Sequence, residues 1–93
     1  MDFGITFKGD ISPKRTVALA KQAEVAGFKY GWFFDSHVLW RDCYPSMAMC
    51  MEHTDNMIFG PLVTNPGVRE WSVAASLYAT LAEQSGNRIE IGL

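Results

Sequence analysis

The sequence contains no long hydrophobic run and no strong excess of charge of either sign. No apolar stretch approaches the roughly 20 residues that a helix needs to span a bilayer, and Met1 to Gly4 lack the basic start of a signal peptide. The 8 basic residues are scattered among 10 acidic ones, for a net charge of -2, which is not the pattern of a nucleic-acid-binding surface. We therefore expect a cytoplasmic protein that binds neither a membrane nor nucleic acid.

Cysteine is also scarce, since Cys43 and Cys50 are the only two. In a reducing compartment both are expected to be free thiols. Together with His37 and His53 they offer four possible metal ligands, but their spacing matches no zinc pattern. We expect no metal site, and Cys50 is better explained as a core or interface residue among the neighbouring methionines.

A glycine-rich dinucleotide fingerprint is missing as well. The turn that follows the first apolar segment is Lys8-Gly9-Asp10, which is not a Gly-rich motif. The absence of that motif weakens the case for a Rossmann domain. What the chain does have is 48% hydrophobic and 13% aromatic residues, which is the composition of a folded globular protein.

Apolar periodicity and turn residues predict alternating strands and helices. Ser12 and Pro13 are typical of an N-cap and the first helical residue, and Gly27 and Gly86 are typical of helix ends. Strands are predicted at residues 2–7, 30–34, 57–63 and 88–93, and helices at residues 13–26, 45–53 and 70–84. This order, βαβαβαβ, indicates an α/β fold with a parallel sheet covered by helices.

An internal similarity favours one parallel architecture over another. The segments that begin at Ala23, "AEVAGFKYGW", and at Ala82, "AEQSGNRIEI", lie 59 residues apart and share an Ala-Glu start and a glycine stop. Two strand-helix units of about 30 residues match a (β/α)₈ barrel. The expected fold is a partial TIM barrel of three βα units plus strand four, although a doubly wound sheet has units of similar length.

Polar residues follow the predicted strands at the edge where parallel folds bind ligands. Asp35, Ser36 and His37 come directly after the second strand, and Thr64-Asn65-Pro66 follows the third. The first strand ends there with Phe7. Because the carboxyl ends of parallel strands meet at one edge, these residues predict a shared binding surface.

Four segments resemble the N-terminal part of the luciferase-like monooxygenase superfamily. They are "DFGITF" (2–7), "AEVAGFKYGWFFDSH" (23–37), "GPLVTNPGVR" (60–69) and "SVAASLYATLAEQSGNRIEIGL" (72–93). The resemblance implies a TIM barrel that uses FMN or the deazaflavin coenzyme F-420, with residues 1–93 as a single N-terminal part. It also implies a non-proline cis peptide at about Leu62-Val63.

The resemblance assigns expected roles to individual residues. It places His37 and Asp35 near the redox ring or the substrate, and Val63, Thr64 and Asn65 against the ring. His37 is the expected proton donor or acceptor, and Asp35 the group that fixes its tautomer or raises its pKa. Apolar side chains that include Phe7 are expected to wall the ring, and Arg69 to meet a cofactor phosphate.

Each assignment has a structural alternative, and for His37 it is a hydrogen-bonded loop residue without a catalytic role. Asp35 can cap its loop or the next helix, and Thr64-Asn65-Pro66 is first of all a turn. Arg69 can simply pair with Glu70 or another neighbour in solvent.

The sequence supplies fewer than half of the eight units of a closed barrel. Strands one and four would each leave an unpaired edge, so we expect either the remainder of the barrel or further copies of the chain, as a homo-oligomer, to cover them. The predicted function is part of an oxidoreductase that transfers hydride or oxygen to a small organic substrate. The alternative is a non-catalytic half-barrel that serves as an assembly or binding module.

Overall fold

The computed structural model describes all 93 residues, and in it three parallel strands alternate with three helices. The strand order is β1-β2-β3, with both neighbouring pairs parallel, as predicted. None of the helices combines the length and the apolar character that crossing a membrane requires. The elements are β1 (Gly4–Phe7), α1 (Pro13–Val25), β2 (Tyr30–Phe33), α2 (Cys43–Glu52), β3 (Ile58–Pro61) and α3 (Trp71–Ser85).

The predicted fourth strand is wrong as a full element. Residues 88–93 form one isolated parallel bridge, between Phe59 and Ile89. The segment nevertheless follows β3, because the Glu90 amide donates to the Phe59 carbonyl at 3.0 Å and the Gly92 amide to the Pro61 carbonyl at 3.0 Å. It therefore runs in the predicted position and direction, but Pro61 of β3 has no amide N–H to donate to it, so the ladder of hydrogen bonds is interrupted.

Side-chain caps decide where the helices begin. The Ser12 hydroxyl accepts from the Arg15 amide at 3.2 Å, and Pro13 occupies the first turn, where it has no donor to lose. Helix α2 begins at Cys43, two residues before the predicted start, because Asp42 caps it by accepting from the Tyr44 amide at 3.0 Å.

The hydrophobic core lies between the sheet and the helices. Ring contacts run across the three strands: Phe7 and Phe33 lie 5.2 Å apart, and Phe33 and Phe59 lie 6.3 Å apart. Methionines from α2 and the start of β3 fill the space behind these rings. On the opposite face of the sheet, Tyr30 stacks on Trp32 at 5.5 Å, and neither is fully buried.

Both cysteines are free and buried, as expected. Burial, with smaller contributions from the charges of Asp35 and Asp42, raises the pKa of the Cys43 thiol to about 12. Burial alone raises the pKa of Cys50 to about 12. Both thiols are therefore protonated at neutral pH and pack as small apolar groups.

Two charged side chains tie the helices to the ends of the strands. Arg88 donates to five acceptors on the end of α2, on the segment that joins α2 to β3 and on the end of α3. The Met51 and Met57 carbonyls lie at 2.7 and 2.9 Å. The Glu24 carboxylate, at the end of α1, accepts from the amides of residues 55–57 at 2.8–3.2 Å. These contacts lie at the amino ends of the strands, away from the predicted binding edge.

Candidate functional site

The structure brings Asp35 and Thr64 together at the carboxyl ends of β2 and β3. Thr64 follows β3 by three residues, and its hydroxyl donates to Asp35 Oδ2 at 2.7 Å. Since β2 and β3 are parallel neighbours, both side chains lie at the same edge of the sheet, as the pattern of polar residues predicts.

Two tyrosines that the sequence analysis did not assign to the site complete this contact. Tyr44, in the first turn of α2, places its hydroxyl 3.0 Å from Asp35 Oδ2 and 3.5 Å from the Thr64 hydroxyl. The hydroxyl of Tyr78, from α3, lies 2.6 Å from that of Tyr44. No motif marks either tyrosine, and the helical periodicity places Tyr78 with the apolar face of its helix.

The site keeps Tyr44 protonated. The residue is only 4% exposed. Burial, and a hydrogen bond with Tyr78, raise the pKa of the Tyr44 phenol far above its ordinary value, against an opposing hydrogen bond with Thr64. Tyr44 is therefore a hydrogen-bond donor throughout the neutral range.

His37 does not join this group. It is exposed, and Asp42, Val68 and Arg69 line the surface depression beside it. Asp35 makes hydrogen bonds with Tyr44 and Thr64 and none with His37, so the expected Asp35–His37 pair is not formed. The imidazole stands at the rim with no partner to fix its tautomer.

Arg69 is held by Asp42 and not by Glu70. Its Nη2 lies 3.5 Å from Asp42 Oδ2, and its guanidinium lies 4.7 Å from the centre of the Tyr44 ring. Burial would lower the pKa of Arg69, but the carboxylates of Asp42 and Asp35 outweigh it and raise that pKa. Glu70 instead caps α3 by accepting from the Ser72 amide at 3.0 Å. The Nε of Arg69 is buried without a partner.

Asn65 shapes the turn after β3. Its side-chain oxygen accepts from the Gly67 amide at 2.8 Å, and its carbonyl accepts from the Val68 amide at 3.1 Å. The turn reading of this segment is thus correct, and the side-chain NH₂ of Asn65 stays free for another contact.

Apolar side chains are exposed next to the polar cluster. Leu62 is 40% exposed and Val63 55% exposed, and the peptide bond between them is cis, at the position that the resemblance implies. We call this pair the apolar ledge. Phe7 does not contribute to it, because its side chain is 4% exposed and packs in the helix-side core against Phe33.

A cavity of about 130 Å³ lies behind the turn, between it and α3. Its lining includes Thr64, Asn65, Arg69, Trp71, Tyr78 and Leu93. No three His, Cys, Asp or Glu side chains cluster closely enough to hold a metal ion. The arrangement suits an organic ligand with both an apolar face and polar groups.

Parallel βα units with a polar and apolar rim at the carboxyl ends of the strands define part of a TIM barrel, the fold in which ligands bind at that edge. The chain belongs to the luciferase-like monooxygenase family, whose model matches residues 1–93.

Two curated relatives are similar to this chain over most or all of its length. A 5,10-methylenetetrahydromethanopterin reductase of Methanolobus tindarius is 36% identical over all of this chain and 28% of its own length. An F420-dependent hydroxymycolic acid dehydrogenase of Mycobacterium tuberculosis is 34% identical over 85% of this chain and 24% of its own length. The chain thus spans about a quarter of the length of these relatives.

Two solved structures share the fold. The coenzyme F420 dependent tetrahydromethanopterin reductase of Methanopyrus kandleri superposes with a TM-score of 0.91 and 33% identity, over 97% of this chain and 26% of that one. The oxygenating constituent of 3,6-diketocamphane monooxygenase of Pseudomonas putida, in complex with FMN, gives a TM-score of 0.84 over 98% of this chain and 28% of that one. At 16% identity this second likeness concerns the fold alone.

Proposed function

We propose that residues 1–93 form the N-terminal part of a larger barrel and supply one wall of a coenzyme F-420 site in an oxidoreductase. The reaction is hydride transfer between the cofactor and a small organic molecule. The observation that carries this proposal is the apolar ledge of Leu62 and Val63 lying directly beside the Asp35–Thr64 hydrogen bond. A planar redox ring needs such an apolar surface to exclude water and a few polar groups to orient it.

The residues of the rim fit this group. When bound, a deazaflavin or flavin ring supplies the hydride-carrying centre. Leu62 and Val63 would lie against a ring face, and the free NH₂ of Asn65 would donate to the ring edge. His37, exposed at the same rim, would take up or release a proton at its imidazole nitrogen.

Arg69 is proposed as the contact for a cofactor phosphate. Asp42 engages only its Nη2, so the guanidinium has N–H groups left for a phosphate oxygen. Its stacking on Tyr44 fixes the plane of the guanidinium at the edge of the site.

F-420 is favoured over FMN by the relatives. The hydroxymycolic acid dehydrogenase and the tetrahydromethanopterin reductase structure, at 34% and 33% identity, are both named as F420-dependent. The FMN complex supports the fold only, at 16% identity. Because these F420-dependent relatives are named for chemically different substrates, the substrate of this protein is proposed only as a small organic molecule.

The test is a titration of the intact polypeptide that carries this sequence with F-420 and with FMN, followed by cofactor fluorescence. We expect saturable binding of F-420 and binding of FMN at least about tenfold weaker, which corresponds to about 1.4 kcal/mol. Val63→Asp should abolish binding by placing a charge against the ring. Val25→Asp is the control, because Val25 is exposed at the end of α1, far along the strands from the rim.

Two outcomes would contradict the proposal. A folded polypeptide that binds neither cofactor would exclude it, and a stable oligomer without binding would favour the half-barrel assembly module. His37→Ala is expected to lower kcat/KM at least about tenfold if the imidazole handles a proton. His53→Ala, at the exposed end of α2, is the matched control.

The same proposal requires that other strands cover the exposed edge of the sheet. The outer edge of β1 has no partner strand, and remaining barrel strands or another copy of the chain would cover it. We expect the intact protein to work in the cytoplasm.

A further inference from the structure

We infer that Asp35, Tyr44, Thr64 and Tyr78 form a positioning network that holds the apolar ledge in its ring-binding shape. The inference rests on the proposed function, since it assigns a role toward the same cofactor site. In this view Asp35 is a positioning residue that acts through Thr64, and it is not the partner that orients His37.

The network joins four separate segments through hydroxyl and carboxylate groups. Asp35 lies just beyond β2, Tyr44 is in α2, Thr64 is in the turn after β3, and Tyr78 is in α3. The contacts are 2.7 Å from Thr64 to Asp35, 3.0 Å from Tyr44 to Asp35 and 2.6 Å between the tyrosine hydroxyls. A side-chain network of this kind fixes the relative positions of all the elements that contribute to it.

The direction of each hydrogen bond follows from counting protons. Ionised Asp35 only accepts, so Thr64 and Tyr44 both donate to its Oδ2. The single proton of Tyr44 is then used, and the short contact with Tyr78 requires Tyr78 to donate to Tyr44. Two hydroxyls therefore donate to one carboxylate, and the third donates to Tyr44. Hydrogen bonds to a charged acceptor are the stronger kind.

Thr64 is the point at which the network reaches the ledge. Its backbone amide donates to the Gly92 carbonyl at 2.8 Å, and its side chain is bonded to Asp35 from the other side. Thr64 is buried, whereas the preceding Val63 is exposed. With Thr64 fixed at both backbone and side chain, the direction in which Val63 projects is fixed too.

The geometry of Asp35 also explains why it does not serve His37. Oδ2 already accepts two hydrogen bonds, and the residue is half-buried, whereas His37 is exposed. A carboxylate held in this way stabilises the turn after β3 and makes no hydrogen bond with the exposed imidazole.

The test compares Thr64→Val, which removes the hydroxyl at nearly constant shape, with Thr64→Ser, which keeps it. We measure the Kd for F-420 on the intact polypeptide, together with kcat and KM at saturating cofactor. Thr64→Val is expected to weaken F-420 binding about 10- to 100-fold, the range for loss of a hydrogen bond to a charged group. Thr64→Ser should regain most of the lost affinity, and kcat should fall less than the affinity does.

Amide hydrogen exchange of residues 62–65 without cofactor gives a second measurement. Thr64→Val and the milder Tyr78→Phe should both speed exchange in this turn, while exchange in α1 stays unchanged. Tyr78→Phe removes one hydroxyl from the outer end of the network, so it keeps the test usable if Thr64→Val fails to fold.

The outcomes separate this inference from the proposed function. If the unsubstituted protein binds neither F-420 nor FMN, the proposed function fails. If it binds F-420 and the Thr64→Val and Tyr78→Phe proteins match it in affinity and in exchange, the site stands and the positioning network is overturned.

Discussion

Arg88 shows how one side chain can stabilise the chain segments at the amino ends of the strands. Its guanidinium donates to the Met51, Thr54, Met57 and Ser85 carbonyls and to the Thr54 hydroxyl. The Met51 and Ser85 carbonyls lie in the last turns of α2 and α3, so Arg88 supplies donors that these helix ends lack. The Thr54 and Met57 carbonyls belong to the segment between α2 and β3. The planar fork of arginine suits several acceptors in one region better than a lysine ammonium does.

We predict that Arg88→Met lowers the free energy of unfolding by about 3 kcal/mol, because it removes a charged donor and leaves carbonyls without partners. Chemical denaturation measures the change. Arg15→Met is the control, since Arg15 is exposed and its guanidinium makes no hydrogen bond or ion pair. Equal effects of the two substitutions would contradict the role given to Arg88.

Glu24 makes stability depend on pH in the acid range. Burial would raise the pKa of this carboxyl, but the amides of Asn56, Asp55 and Met57 outweigh it and hold the pKa below its ordinary value of 4.5. A group whose folded pKa is lowered contributes stability above its unfolded pKa, and that contribution is lost as the pH falls through the folded value.

Glu24→Gln should therefore lower the free energy of unfolding by about 1–2 kcal/mol at pH 7, the range for hydrogen bonds to a charged acceptor. The difference between the two proteins should shrink as the pH falls below 4.5, the ordinary value for this carboxyl. Denaturation curves at several pH values test this, with Glu83→Gln on the exposed side of α3 as control. A difference that stays constant down to acid pH would contradict the linkage.

At the scale of elements, β3 and the segment 88–92 come unusually close at Gly60. A Cβ on Gly60 would lie 1.7 Å from the Glu90 carbonyl oxygen, which is backbone and cannot rotate away. Glycine is thus required by the approach of two chain segments, and Glu90 itself is exposed.

Gly60→Ala should push the 88–92 segment off β3 and cost about 3 kcal/mol of stability, at the upper end of overpacking effects. Amide exchange at Glu90 and Gly92, whose amides bond β3, should become much faster. Gly67→Ala is the control, because its new Cβ would meet only the Asn65 side chain, at 3.3 Å. An intact exchange pattern in Gly60→Ala would show that the 88–92 segment stays on β3, and it would contradict the requirement for glycine at this position.

The elements were predictable from the sequence because they depend on local signals. Ser12, Pro13 and Gly86 mark helix ends by their own conformations, and the buried strand Tyr30–Phe33 is recognisable as an apolar run. The fourth strand was predicted as a full element because its own apolar pattern does not reveal that Pro61, on the neighbouring strand, lacks the amide that the ladder needs.

The site was only partly predictable, since its central contacts join distant positions. Asp35 and Thr64 follow their strands, so topology alone places them at one edge. Tyr44 and Tyr78 are 34 residues apart and meet only because α2 and α3 pack side by side. The Asp35–His37 pair was predicted because the two residues are close in sequence. In the structure Asp35 bonds Tyr44 and Thr64 from distant positions, and the pair is not formed.

At the scale of the whole molecule, the sheet has one covered face and one open face. Ile5 and Phe7 point toward the helices, whereas Thr6, paired in register with Trp32, is exposed on the other side. In a closed barrel this second face is the packed interior. The proposal of a larger barrel therefore requires that Thr6 be buried when the protein is assembled.

Thr6→Glu tests this in the intact polypeptide. If barrel strands or another copy cover the open face, a buried carboxylate without a partner should lower the free energy of unfolding by at least about 3 kcal/mol. Gln22→Glu adds the same charge on the exposed side of α1 and should change stability by less than about 0.5 kcal/mol. Denaturation of both variants is the measurement, and equal stability would mean that the face stays in solvent and that neither barrel strands nor another copy cover it.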